Sequence, residues 1–135
     1  MDKIFVDSDI ILDVIQEREF YKEAVELFTL IEENKVKGFV SPLIFANLYY
    51  ILRKYEDNEF ARKVLIRLKA LFNIVTINEK TIELALSSEF KDFEDAIQYY
   101  SALESDINYL ITRNKKDYKD LDIRMTDFIK RAIQY

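Results

Sequence analysis

The stretch EFKDFEDAIQYY, Glu89 to Tyr100, places four carboxylates in its first seven residues, at the head of an apolar, aromatic run. Asp92 and Asp95 stand three apart, so on a helix they share a face, with Glu94 pointing elsewhere. One carboxylate in a first helical turn gains from the helix dipole. Two on one face, with a third acid beside them, repel until a proton or a cation intervenes. The chain has no cysteine and no histidine. That excludes disulfides, thiolate nucleophiles, Cys/His zinc sites and every Ser-His or Cys-His triad. The groups left for chemistry are carboxylates, lysines, tyrosines, hydroxyls and a bound ion. Oxygen-only ligands suit Mg²⁺ or Mn²⁺, hard ions that retain several of their waters.

Such acids act together only if the fold gathers them. The apolar run KIFV, residues 3–6, is too brief for a helix and reads as a strand. DSDIILDVIQ then starts a helix that Asp7, Ser8 or Asp9 can cap, with Asp13 on its solvated face. Residues 20–34 carry apolar side chains at helical spacing and end at Asn34; KGFVS reads as a second strand. Ser41-Pro42 is a strong helix start, and PLIFANLYYILRKY, apolar nearly all round, is predicted to be buried. Residues 58–72 form an amphipathic helix with a basic face. NIVTI is strand-like, and Asn78 caps a further helix. FEDAIQYYSALES is a helix, INYLIT a buried strand, RNKKDYKDL a loop and DIRM a short last strand. Thr126 caps a final helix to about Ile133.

Strands alternating with helices predict an α/β fold, a three-layer α/β/α sandwich with a mostly parallel sheet of four to five short strands. The 135 residues fit a single domain, 1–135. Half of them are hydrophobic, enough for a sizeable core. With one Gly and one Pro, the turns fall to Asn, Asp, Ser or Lys.

In open parallel sheets, ligands bind beyond the carboxyl ends of the strands. Asp7 follows the first strand, Ser41 the second, and Thr112 to Asp117 follow YLI. Asp92 and Asp95 open a helix that faces the same edge. Each has a plain structural alternative: Asp7, Asp92 and Asp95 as helix caps, TRNKKDY as an Asn-containing turn, and Tyr49, Tyr50, Tyr99 and Tyr100 as core.

Twenty basic against 25 acidic side chains give a net charge of −5, which argues against a nucleic-acid partner unless a cation neutralises part of the acid. The bases are locally concentrated, at Arg53, Lys54, Arg62, Lys63, Arg67 and Lys69 and again at Arg113, Lys115, Lys116 and Lys119. Asp2, Asp7, Asp9 and Asp13 are unlike a signal peptide. The longest uncharged run, Gly38 to Leu52, has 15 residues, short of the roughly 20 that span a bilayer. The expectation is a soluble, cytoplasmic protein with no membrane association.

The segments FVDSDIILDVIQERE, GFVSPLIFANLYYILRK, KDFEDAIQYYSAL and LITRNKKDYK, in that order and spacing, resemble a PIN domain, the small metal-dependent nuclease fold of VapC-type toxins. The resemblance covers nearly the whole chain. It implies an endoribonuclease that hydrolyses RNA phosphodiester bonds with Mg²⁺ or Mn²⁺, as the toxin of a toxin–antitoxin pair. It also implies a cognate antitoxin and a homodimer formed through helices.

Residue by residue, the resemblance implies Asp7, Asp95 and Asn114 at the metal. Asp92 and Asp117 are nearby acids able to take a proton from the attacking water. Asn47 and Thr112 position waters or oxygens behind the ligands, and Arg113, Lys115 and Lys116 contact the RNA backbone. The chain departs from the family pattern at Asn47, where a Glu is common, at Asn114, where an Asp is common, and at Asp9, where an Asn is common. Fewer carboxylates imply weaker metal binding and one ion where others hold two.

Two other readings stand beside this one. The first is a PIN fold kept only as a binding module. The second is a haloacid-dehalogenase-like phosphatase suggested by Asp7-Ser8-Asp9, in which Ile10 and Ile11 replace the small residues expected there.

Overall fold

The structure, a computed structural model, describes residues 1–19, 21–107 and 109–112, together with the backbone of 124–125. The elements run β1 (Asp2–Val6), α1 (Ser8–Ile15), α2 (Tyr21–Glu32), β2 (Val36–Val40), α3 (Pro42–Tyr55), α4 (Asn58–Leu71), β3 (Asn73–Ile74), α5 (Glu79–Leu86), α6 (Phe93–Glu104), β4 (Tyr109–Ile111) and β5 (Arg124–Met125). The strands form one sheet in the order β3-β2-β1-β4-β5, and every pairing is parallel. This is the α/β/α sandwich predicted from the alternation of strands and helices.

β1 is the spine. It pairs on one side with β2, Ile4 opposite Gly38, and on the other with β4, Phe5 opposite Leu110. Successive strand residues point to opposite faces, so Ile4 and Val6 join Val36, Val40 and Ile111 in the core covered by α1 to α4. Phe5 and Leu110 join Tyr99, Ala102 and Ile107 on the α6 side. A strand buried on both faces must be apolar without alternation, which is why KIFV carries no polar residue between Lys3 and Asp7.

Local signals set the element ends. Ser41 caps α3 by accepting from the Leu43 amide at 3.1 Å, with Pro42 in the first turn. Asn78 and Thr81 form a reciprocal capping box on α5. Asn34 and Asp106 take left-handed backbone, φ 59° and 57°, after α2 and α6. Asn and Asp tolerate that conformation better than most residues, and they close turns that glycine closes elsewhere.

Gly38 has a different task. A Cβ there would lie 2.8 Å from Phe72 Cδ1 and 2.9 Å from Ile31 Cδ1. Overpacking of this kind costs about 1–3 kcal/mol. Gly38→Ala is therefore expected to lower the urea midpoint by that amount of stability, and an unchanged midpoint would show that Phe72 and Ile31 yield freely.

Two expectations are corrected. α3 is buried along one stripe only, Ile44, Leu48 and Leu52, while Tyr50 and Tyr55 are 58% and 62% exposed. Its apolar content exceeds what one side of a sheet can cover. Asp13 is fully buried rather than solvated. It stands one turn after Ile10, on the face of α1 that packs inward, and Arg18 folds back to place Nε 3.7 Å from its carboxylate. The expected loop over 113–121 and the helix from Thr126 to Ile133 lie outside the described residues.

Candidate active site

The sheet order reverses between β1 and β4, and the crevice beyond that switch is where open parallel sheets place ligands. Asp7 and Thr112 end the two strands that flank it. The Asp7 amide donates to the Ile111 carbonyl at 3.0 Å, which ties the ends of β1 and β4 together. Thr112 Oγ1 then donates to Asp7 Oδ2 at 2.9 Å, joining residues 105 apart in sequence. Ser8 Oγ approaches Oδ1 at 3.3 Å. Asp7 occupies the N-cap position of α1 without a side-chain capping bond. The cap alternative for its carboxylate therefore does not hold.

Asp7 is 5% exposed, and burial pushes its carboxyl above the usual range. The Thr112 bond opposes that shift, the charge of Asp9 adds to it, and the bonds from Ser8 again oppose it. A carboxylate is thus held where its charge is poorly solvated.

The first turn of α6 brings further acids to this edge. Asp92 is the N-cap, exposed, with Oδ1 accepting from the Asp95 amide at 2.9 Å. It precedes the helix, so it does not share a helical face with Asp95, and its capping alternative holds. Asp95 is half-buried within the first turn.

Glu94 does not point elsewhere. It accepts from Asn47 Nδ2 of α3 at 2.7 Å and from Gln98 Nε2 at 3.4 Å. Its carboxyl is pushed up by burial first, then by the charges of Asp92 and Asp7; the Asn47 bond opposes this, and Asp9 adds to it. The three-residue spacing of Asp92 and Asp95 misled because Asp92 lies outside the helix. The useful signal was the run Glu94, Gln98, Ser101, which follows the inward face of α6 at helical spacing.

Asn114, Asp117, Arg113, Lys115 and Lys116 lie outside the described residues. Among the described residues no three His, Cys, Asp or Glu side chains form a ready-made metal cage. The donor set still fits a hard divalent ion. Mg²⁺ commonly takes one or two carboxylates and keeps its waters, and the acids that raise one another's proton affinity here offer only oxygen. Asp7 and a first-turn carboxylate of α6 are the residues able to hold it.

A cavity of about 630 Å³ lies elsewhere, between α3 and α4, lined by Phe45, Tyr49, Tyr50, Arg62, Ile66 and Lys69 among others and by no carboxylate. Arg53 and Arg62 stack over Tyr50 and Tyr49 at 5.5 and 5.9 Å. Of the aromatic candidates for core, Tyr99 is buried and Tyr50 is not. Arg62, Lys63, Arg67 and Lys69 on α4 are exposed. No helix among the described residues is long and apolar enough to cross a membrane.

Comparison with known proteins agrees with this geometry. The sequence pattern of the PIN domain family matches residues 3–116. The chain is 29% identical over 136 residues to ribonuclease VapC1 of Aquifex aeolicus (strain VF5), covering 93% of this chain and 92% of that protein. A toxin-antitoxin complex from Klebsiella pneumoniae contains a chain 26% identical to this one, with a TM-score of 0.65 over 87% of this chain and 91% of that one. The DNA-bound VapBC from Salmonella typhimurium, only 14% identical, superposes with a TM-score of 0.71 over 93% of this chain and 98% of that one, a likeness of fold. A family match spanning most of the sequence, on a parallel sheet with a buried aspartate at its switch point, has one meaning: the chain belongs to the PIN domain family.

Proposed function

We propose that this PIN domain is a divalent-metal-dependent endoribonuclease and the toxin of a toxin–antitoxin pair. The observation that carries the reading is the buried Asp7, bonded to Thr112 across the switch point and repelled by acids of α6. The similarity to ribonuclease VapC1 and to a chain of a toxin-antitoxin complex supports the substrate class and the pairing.

When bound, Mg²⁺ or Mn²⁺ supplies Lewis acidity at the scissile phosphate and makes a water nucleophilic at neutral pH. The chain's own groups prepare the site for it. Thr112 and the Asp7–Ile111 backbone bond fix Asp7 at the end of β1. A ligand fixed in this way loses little freedom when it binds, and such supporting groups are typically worth about 10–100-fold in metal affinity or activity.

Asp95, in the first turn of α6, is the second proposed ligand and Asn114 the third. Asp92, exposed at the helix start, and Asp117 are the proposed proton acceptors. Arg113, Lys115 and Lys116 contact RNA phosphates, which positions the strand without reading its sequence. No covalent intermediate is needed, in keeping with a chain that has no Cys or His. An antitoxin and a second copy of the chain are the proposed protein partners, in the cytoplasm.

The test is cleavage of short RNAs by the purified chain with Mg²⁺, Mn²⁺ or EDTA. Cleavage is expected with either ion and not in EDTA. Asp95→Asn is expected to lower the rate by about 10²-fold, the scale of losing one preorganised electrostatic contact. Cleavage that persists in EDTA, or that Asp95→Asn leaves unchanged, would contradict this assignment. Absence of both cleavage and Mn²⁺ binding would leave a PIN fold used only for binding. The neighbouring open reading frame is expected to encode a small DNA-binding antitoxin, and its absence would argue against the toxin role alone.

A further inference from the structure

We infer that Glu94, aimed by Asn47 and Gln98, supplies a carboxylate oxygen to the divalent cation beside Asp7, in place of the acid that the family often carries at position 47. This rests on the metal-dependent reading above. Three observations carry it. First, Asn47 Nδ2 and Gln98 Nε2 both donate to Glu94 Oε1, at 2.7 and 3.4 Å. Oε2 has no hydrogen-bond partner among the described residues, so the side chain is gripped by one oxygen and offers the other. Second, Glu94 lies close enough to Asp7 and Asp9 for their charges to act on it, although α6 begins 86 residues after Asp7. Third, the grip comes from the residue that departs from the family pattern. An amide at position 47 is a poor ligand for a hard ion compared with a carboxylate. It is a good hydrogen-bond donor, though, and donors of this kind orient ligating carboxylates.

The arrangement therefore exchanges roles between two contacting positions. Where a Glu at 47 would reach the ion from α3, here α6 supplies the carboxylate and α3 supplies the donor that orients it. A hydrogen bond from a neutral amide steadies the charged form of Glu94 without adding a positive charge that would compete with the cation. Asn47 is thus a positioning residue, and Glu94 a ligand.

The experiment is calorimetric titration of the full chain with Mn²⁺ at pH 7, on wild type, Glu94→Gln and the double variant Glu94→Gln/Asn47→Glu, with circular dichroism melts to establish that each folds. The Gln side chain keeps the size of Glu and still accepts from Asn47, so the fold is expected to persist. Glu94→Gln is expected to weaken Mn²⁺ binding at least about tenfold, on the scale of disturbed metal sites. The double variant, which returns the carboxylate to position 47, is expected to recover most of that loss. Equal affinity in wild type and Glu94→Gln would overturn the inference while leaving Asp7 and Asp95 as ligands. Weakening without recovery in the double variant would also overturn it, because Glu94 would then act through the fold and not as a donor. A wild type that binds no Mn²⁺ would overturn the metal-dependent reading and this inference with it.

Discussion

Asp7→Asn is expected to lower RNA cleavage by at least about 10²–10³-fold, equivalent to roughly 3–4 kcal/mol of lost transition-state stabilisation. The same substitution is expected to raise the melting temperature of the metal-free protein. The two effects have one cause. Asp7 is buried at the switch point, where its charge is poorly solvated and where Asp9 repels it. Asparagine removes the charge, keeps the side-chain size and can still accept from Thr112 through its amide oxygen. The fold gains what the site loses. A residue with a purely structural role gives the opposite pattern, since replacing it lowers stability and reduces activity only through unfolding. Cleavage assays in Mn²⁺ and thermal melts in EDTA on the same preparation check both arms. Undiminished cleavage, or a metal-free melting temperature below that of wild type, would contradict the account.

The pH dependence of stability is the second large effect. Asp7 and Glu94 both have folded-state pKa values raised above their ordinary 3.8 and 4.5. For an acid with a raised folded pKa, the unfolded chain gives up its proton first. The stability contributed by each group is therefore complete below its ordinary value and is lost as pH rises through the folded one. In EDTA, the melting-temperature difference between Asp7→Asn and wild type is expected to be small near pH 4. It should widen towards pH 7 in favour of the variant. Glu94→Gln is expected to behave likewise. Mn²⁺ reverses the sign for wild type, because a cation between carboxylates favours their charged forms, and stabilisation by an ion that binds only the folded state grows with its concentration. A difference that stays constant across this range would show that the burial of these carboxylates has no energetic consequence.

Much of the fold was legible because its signals are local. KIFV between two polar ends, Ser41 before Pro42, and Asn78 before Thr81 each specify an element within a few residues. The meeting of Asp7 and Thr112 is not local, yet the sheet rule anticipates it, since both end parallel strands on the same edge. What was missed depends on orientation. Whether Glu94 faces solvent or Asn47 turns on where α6 begins, and a cap displaced by one residue changes which acids point inward. Asp13 was misplaced for a related reason. An eight-residue helix beneath α2 buries a residue that simple amphipathic reading assigns to water, and its partner Arg18 lies beyond the helix end. The exposed aromatics of α3 follow from the same limit, because a sheet covers only one stripe of a helix however apolar the remainder is.

The central claim is that acids from distant parts of the chain are gathered at the carboxyl edge of the sheet around a divalent cation. The most direct measurement is an anomalous difference map from crystals soaked in Mn²⁺. The expected result is a peak within coordination distance of an Asp7 carboxylate oxygen, on the side facing the first turn of α6. Saturating Mn²⁺ with no peak there, or with peaks only at other surface acids, would contradict the account.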